Sequence, residues 1–332
     1  MDPMTRQPLL LILVTGLVLA SGTPCEAQSQ TLYGGTPYTT RRDNPLDPLP
    51  PAAQAETFED GSFDLAGVAL SPSTILGPGP LTDSVDGDDG QLDGSGNGGW
   101  SLAVASGSAG LTVTFDAHIL GGLPTTFGVV WTDGAPGSEI FLELFDEHGA
   151  LYASVSSTPN GDDSFDGGTA EDRFLGVQGD LPLGAVRIRT APVGDDAQME
   201  VDHLQFGDVT PWLDQGHALA GTFGAPYLLA KGSLAPGSPV SLSMQSVLGG
   251  VAGALVLGFD QLDVPFKGGV LVPSPDLIVT GVVAEPTGNW QGVFRWPAGV
   301  PADTVVSVQA WIPDPAGPSG YAASNAVQGK TP

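Results

Sequence analysis

Glycine and proline interrupt this chain too often for helices of ordinary length. Its 332 residues include 48 glycines and 30 prolines, and between these breaks apolar residues recur at every second position. In the first half the clearest predicted strands are residues 111–115, 126–132, 139–146, 150–156, 185–189 and 198–206. Gly, Pro, Asn and Asp clusters separate them at the spacing of a β-sandwich, with no helical period between. Within 139–146, Ile140, Leu142 and Leu144 share one face and are predicted to enter a core, with Phe141, Glu143 and Phe145 on the other. Beyond Thr210 acidic residues thin out, and 226–231, 240–246, 252–259, 277–283, 289–296 and 304–312 predict further strands. The fold expected is all-β, with two antiparallel, jelly-roll-like β-sandwich domains over 56–208 and 209–332.

The N-terminus predicts export. Residues 1–27 combine one Arg, an apolar run from Leu9 to Leu19 and a small-residue exit, the layout of a signal peptide cut after Ala27. That run is too short to span a bilayer comfortably, and no later stretch approaches the ~18 apolar residues a membrane helix needs, so no transmembrane segment is expected in the mature chain. The single cysteine, Cys25, leaves with the signal; acylation at Cys25 is the competing reading, disfavoured by Thr23 and Pro24 before it. Residues 28–55, with Pro37, Pro45, Pro48, Pro50 and Pro51 among polar residues, read as an extended Pro-rich linker. A net charge of −27 with only ten Lys plus Arg excludes nucleic acid and anionic membrane surfaces as partners.

The acid is concentrated. Residues 82–100, TDSVDGDDGQLDGSGNGGW, hold five aspartates, six glycines and no cation. Carboxylates so crowded repel unless water, salt or a metal screens them, and calcium, a hard cation with irregular oxygen coordination, suits such a loop. Asp83, Asp86, Asp88, Asp89 and Asp93 are the candidate ligands. An EF-hand register starting at Asp89 places Trp100 where a bidentate Glu is required, so that cassette does not apply. The alternative is a solvated acidic loop.

Two further acidic features lie downstream. On the strand ending in Phe206, Asp202 has the parity of Leu204 and Phe206 and is predicted to point inward with them, which requires hydrogen bonds or a cation. Glu59 joins it if the first and last strands are neighbours. Residues 160–172 offer Asp162, Ser164, Asp166 and Gly167 at EF-like spacing, with Arg173 in the closing position. Closure by Glu171 or Asp172 is one reading; a solvated loop paired to Arg173 is the expected one.

Together DSVDGDDGQLDGSG (83–96), PTTFGVVWTDG (124–134), AEDRFLGV (170–177) and EVDHLQFG (200–207) resemble a jelly-roll domain of uncharacterised bacterial secreted proteins, some carrying PEP-CTERM-type sorting tails. The resemblance covers about residues 56–208 and implies the sandwich fold, with no activity to carry over. The end of this chain, SNAVQGKTP, has neither the apolar span nor the basic tail of those members. FEDG (58–61) and VDHLQFG (201–207) are also similar to jelly-roll carbohydrate-binding modules, where carboxylates near the first and last strands hold a structural calcium.

In the second domain Val306, Val308 and Ala310 share one face, and Ser307, Gln309 and Trp311 the other. Trp311 on a polar face could stack on a sugar ring with Gln309 hydrogen-bonding beside it, or it could cover a sheet edge or pack against a loop. Trp290 and Trp296 share a face with Phe294 and are predicted to be core. The sequence has no Gly-x-Ser-x-Gly elbow, no His-Glu-x-x-His and no phosphate loop, and His118, His148, His203 and His217 stand singly. The function expected is a secreted, non-enzymatic structural or cell-surface interaction protein with calcium-stiffened loops. A carbohydrate-binding protein that engages extracellular polysaccharide or cell-surface glycan is the alternative, and a carboxylate-based hydrolase is third.

Overall fold

A computed structural model describes residues 30–39, 41–47, 53–79, 82–85, 98–134, 137, 139–157, 171–191 and 198–332. The signal peptide, Cys25, Asp86, Asp88, Asp89, Asp93 and the run from Asp162 to Gly167 lie outside the described residues. The described chain is all-β and antiparallel, and it forms two compact units, Gln28–Val209 and Thr210–Pro332.

The first unit contributes β1 (Gln30–Pro37), β2 (Gln54–Glu56), β3 (Val68–Leu70), β4 (Thr74–Leu76), β5 (Ser101–Val104) and β6 (Leu111–Phe115). Then follow β7 (Thr126–Asp133), β8 (Ile140–Phe145), β9 (Leu151–Ser156), β10 (Arg173–Gly179), β11 (Ala185–Thr190) and β12 (Met199–Gly207). One sheet runs β1-β10-β7-β12-β5-β4, with β2 also on β12; the other runs β3-β6-β11-β8-β9. Between the two sheets, Phe115 of β6 meets Phe127 of β7 and Phe206 of β12 at ring separations of 6.2 and 5.2 Å. Ile140, Leu142 and Leu144 are fully buried, as their alternation predicts. Each such side chain contributes about 1.5–3 kcal/mol of burial.

On the opposite face of β8, Glu143 accepts hydrogen bonds from Arg187 Nε at 2.6 Å and from Arg189 Nε and Nη2 at 3.0 and 2.8 Å. The two arginines lie over the Phe145 and Phe141 rings, so a face that looks half-polar in sequence is an ion-paired, ring-stacked surface.

The linker reading of 28–55 is corrected. Gln30–Pro37 pairs with β10 as a full strand, and Gln54–Glu56 pairs with β12. Two tyrosines outweigh the Pro-rich composition. Tyr33 meets Phe174 edge-on at 6.0 Å, and buried Tyr38 stacks on the same ring at 6.1 Å. A bulge between Gly34 and Thr36 lets the strand follow the sheet; Gly35 sits at φ 74°, where a Cβ would lie 2.3 Å from Ser157 Cβ.

In the second unit, Trp212–Gly216, Ala326–Lys330, Val305–Pro313, Ala252–Gly258 and Leu277–Val283 pair in that order, with Tyr321–Ala323 beside Val305–Pro313. Tyr227–Lys231, Pro239–Gln245 and Trp290–Arg295 form a second sheet, and Gln261–Phe266 with Gly269–Pro273 form a hairpin. Trp290, Phe294 and Trp296 belong to the core between them, as expected.

Trp311 and Gln309 do not form a ligand site. Trp311 is 4% exposed and Gln309 is fully buried. The hairpin covers their face: Phe266 packs edge-on against Trp311 at 4.9 Å. Gln309 Oε1 accepts from Val272 N–H at 3.2 Å and Trp311 Nε1 at 3.1 Å, while its Nε2 donates to Val270 and Ser324 carbonyls. Both faces of Val305–Pro313 are therefore core. The hairpin that buries the second face was not foreseen.

Candidate metal centre

Strand β12 carries the decisive irregularity. Phe206 pairs with Phe127 and Gln205 with Gly128, but Asp202 pairs with Val130, one residue out of step. A bulge accounts for it, with His203 at φ 47°. Opposed residues in an antiparallel pair share a face. Asp202 therefore lies with Val130 on the face away from the inter-sheet core, and the expectation that it points inward with Leu204 and Phe206 is overturned. One extra residue reverses the parity on which that expectation rests.

A second irregularity, at Thr132 of β7, sets Asp133 opposite Glu200. Asp133, Glu200 and Asp202 thus come to one face. Beside Phe174, which shares that face, the two-residue period adds Asp172. The face is not open: Tyr38, Leu46, Val85, Val130 and Phe174 form a separate small core over it. Residues 82–85 are tied down by the carboxylates themselves, since Asp83 N–H donates to Glu200 Oε2 at 2.9 Å and Val85 N–H donates to Asp202 Oδ2 at 2.9 Å.

Six carboxylates gather there: Asp83, Asp133, Glu171, Asp172, Glu200 and Asp202, none more than 6% exposed. Some have clear donors. Ser101 Oγ donates to Glu200 Oε2 at 2.7 Å, His203 N–H to Asp202 Oδ1 at 2.6 Å, and Gly134 N–H to Asp133 Oδ1 at 2.5 Å. Asp172 has none among the described residues: it is fully buried and neither carboxylate oxygen accepts a hydrogen bond from them, nor does Asp83 Oδ1. Arg173 Nη1 donates to the Asp172 backbone carbonyl at 2.8 Å.

The electrostatics follow from the crowding. Burial, and then the charges of Asp133, Glu171, Glu200 and Asp202, push the Asp83 carboxyl up to about 9. Burial also drives Asp172 well above the ordinary carboxylate range, reinforced by Asp83, Asp202 and Glu171 and opposed by Arg173. Glu200 is raised by burial in spite of its three donors. Two bare charges ~7 Å apart repel by roughly 2 kcal/mol at an effective dielectric of ~20. Such a cluster must hold protons or cations. Carboxylate oxygen with unused lone pairs is the donor type that hard divalent cations such as calcium take.

Of the ligands expected from sequence, Asp83 and Asp202 meet here. Glu59 follows β2, the neighbour of β12, but its Oε1 accepts the Trp100 N–H at 2.8 Å, and it is not among the groups acting on Asp83 or Asp172. Glu171 and Asp172, expected at the end of a solvated loop paired to Arg173, are buried. Asp133 and Glu200 were not foreseen as ligands. Glu200 and Asp202 do carry a signal, two carboxylates two residues apart on one strand, whereas Asp133 reaches this face only through the displaced register.

No protein-family model and no curated protein matches the chain. Among solved structures, the VP2 subviral particle of infectious bursal disease virus aligns over 99% of this chain and 78% of that one, at 12% identity with a TM-score of 0.13. That likeness is too slight to bear on function.

Proposed function

We propose that this chain is a secreted, non-enzymatic structural or cell-surface interaction protein whose first sandwich is consolidated by calcium. The observation that carries the calcium is Asp172, a buried carboxylate without a hydrogen-bond donor among five other acidic side chains. Bound cation would replace the missing donors and draw residues 82–85, β7, β10 and β12 onto one centre. Export is supported by the signal-like first 27 residues and by the high negative charge. Among the described residues no helix is long and apolar enough to cross a membrane.

Burial also argues for a structural rather than a hydrolytic role. A glycosidase holds its two carboxyls on either side of a bound sugar, whereas these are covered by their own polypeptide. The glycan-binding alternative has lost the residues that carried it, Trp311 and Gln309. Limited proteolysis of the mature chain tests the reading: calcium should protect residues 28–209 relative to chelator, and equal cleavage in both would overturn it. Recovery of the expressed full chain inside cells with an intact N-terminus would overturn export.

A further inference from the structure

The topology points to the last nine residues, SNAVQGKTP (324–332), as the latch of the second unit: its sandwich closes only once they are delivered. Strand Ala326–Lys330 is not an edge. It lies between Trp212–Gly216 and Val305–Pro313, with Trp212 opposite Gly329 on one side and Val306 opposite Gly329 on the other. Among the described residues Trp212–Gly216 pairs with no other strand, so the first strand of the unit joins its sheet only through the last. The side chains of the segment extend the closure. Asn325 spans both sheets: it accepts from Leu228 N–H at 2.6 Å and donates to the Leu228 carbonyl at 3.1 Å on one, and donates to Asp214 Oδ1 at 3.0 Å on the other. Ser324 Oγ accepts the Ala310 N–H at 2.9 Å, and Thr331 Oγ1 accepts the Thr304 N–H at 2.7 Å. A Cβ on Gly329 would lie 2.8 Å from Trp212 and from Leu234, so glycine lets the strand lie against both. Ser324, Asn325, Val327 and Thr331 are all buried.

The first unit is built the same way. Its last strand, β12, lies between β7 and β5 and also holds β2. Each unit therefore ends on an interior strand, whose partners are distant in sequence and keep unpaired edges until it arrives. For a chain carried across a membrane behind a signal peptide, this order leaves the second unit open until its end has passed. That consequence rests on the export reading above, whereas the latch does not. The same burial withdraws the SNAVQGKTP end from use as an extended sorting tail once the unit has folded.

The test is the moment of folding during synthesis. The full chain is followed by a flexible spacer and a translational arrest peptide, and release of the arrest is measured as the spacer is lengthened. Release by the second unit is expected only when the spacer frees Thr331 from the ribosome. Chains stopped after Ala323 and given the same spacers should show no release from this unit. Val327→Pro in the full chain, which removes a donor from an interior strand, should abolish it too and leave release by Gln28–Val209 intact. Release from chains stopped after Ala323 overturns the latch, and so does full release by Val327→Pro. Limited proteolysis of the finished chains decides the same question where arrest release is weak. Residues 210–323 should be cut in the chain ending at Ala323 and protected in the full chain, and equal protection in both overturns the proposal. Neither readout depends on export, so a chain retained inside cells would remove only the consequence for transit.

Discussion

The backbone N–H of Asp83 donates to Glu200 Oε2 at 2.9 Å, joining two residues 117 positions apart. The bond brings the Asp83 carboxylate against a sheet face already crowded with negative charge. Folding alone makes this contact, and folding alone does not relieve the repulsion it creates.

Removing one charge should therefore stabilise the metal-free protein. Asp172→Asn eliminates a fully buried carboxylate that accepts no hydrogen bond. In chelator we predict a gain on the order of 1–3 kcal/mol in denaturant unfolding. In calcium the same variant should be less stable than the parent. Destabilisation in both conditions would mean that Asp172 is structural without any ion.

The pH dependence should change sign with metal. The Asp83 carboxyl, at about 9 when folded against an ordinary 3.8, holds a proton in the folded state that the unfolded chain has released. Asp172 and Glu200 shift in the same direction. The metal-free protein is then stabilised by these groups near pH 4 and loses that stability as pH rises toward 9. With calcium the ion displaces the protons, so stability should rise with pH over the same window. Denaturation midpoints at pH 5 and pH 8, in chelator and in calcium, check this; slopes of one sign would count against the site.

Much of the fold was legible, because alternation and turn residues report local geometry. Strands such as Leu111–Phe115 and Leu277–Val283 fall where the alternation places them. The misses share a physical cause: they depend on what covers a surface. Gln30–Pro37 reads as linker until Phe174 supplies the partner for Tyr33 and Tyr38. The Trp311 face reads as either a sugar platform or a packed surface, and only the Gln261–Pro273 hairpin laid over it decides between them. Asp202 reads as a buried acid and is one, but its face depends on a one-residue bulge that no alternation rule reveals. Asp133 and Glu200 join it only through long-range register.

Glu143 provides a control elsewhere in the same unit. Burial alone would raise its carboxyl, but the bonds from Arg189 and Arg187 outweigh that and hold it below the ordinary range. Glu143→Ala should cost about 1–3 kcal/mol by leaving two arginines without their shared carboxylate. The calcium response should persist, and its loss would show that the response reports general stability and not the cluster.

In the second unit, Trp311→Ala should lower stability by about 3–5 kcal/mol, as for truncation of a large core side chain. Glycan-array binding by the folded protein should be unchanged. Selective loss of a glycan signal, with the melt unaffected, would restore Trp311 as a binding residue.

The most direct measurement is differential scanning calorimetry of the mature chain in chelator, in millimolar-range calcium and in millimolar-range magnesium. An ion that binds only the folded form stabilises it by about 2.7 kcal/mol at ~100 times its Kd. We predict a calcium-selective rise of several degrees in the transition of the Gln28–Val209 unit, with Thr210–Pro332 unmoved, because magnesium keeps its own waters and a strict octahedral shell. No shift in calcium, or an equal shift in magnesium, would contradict the account.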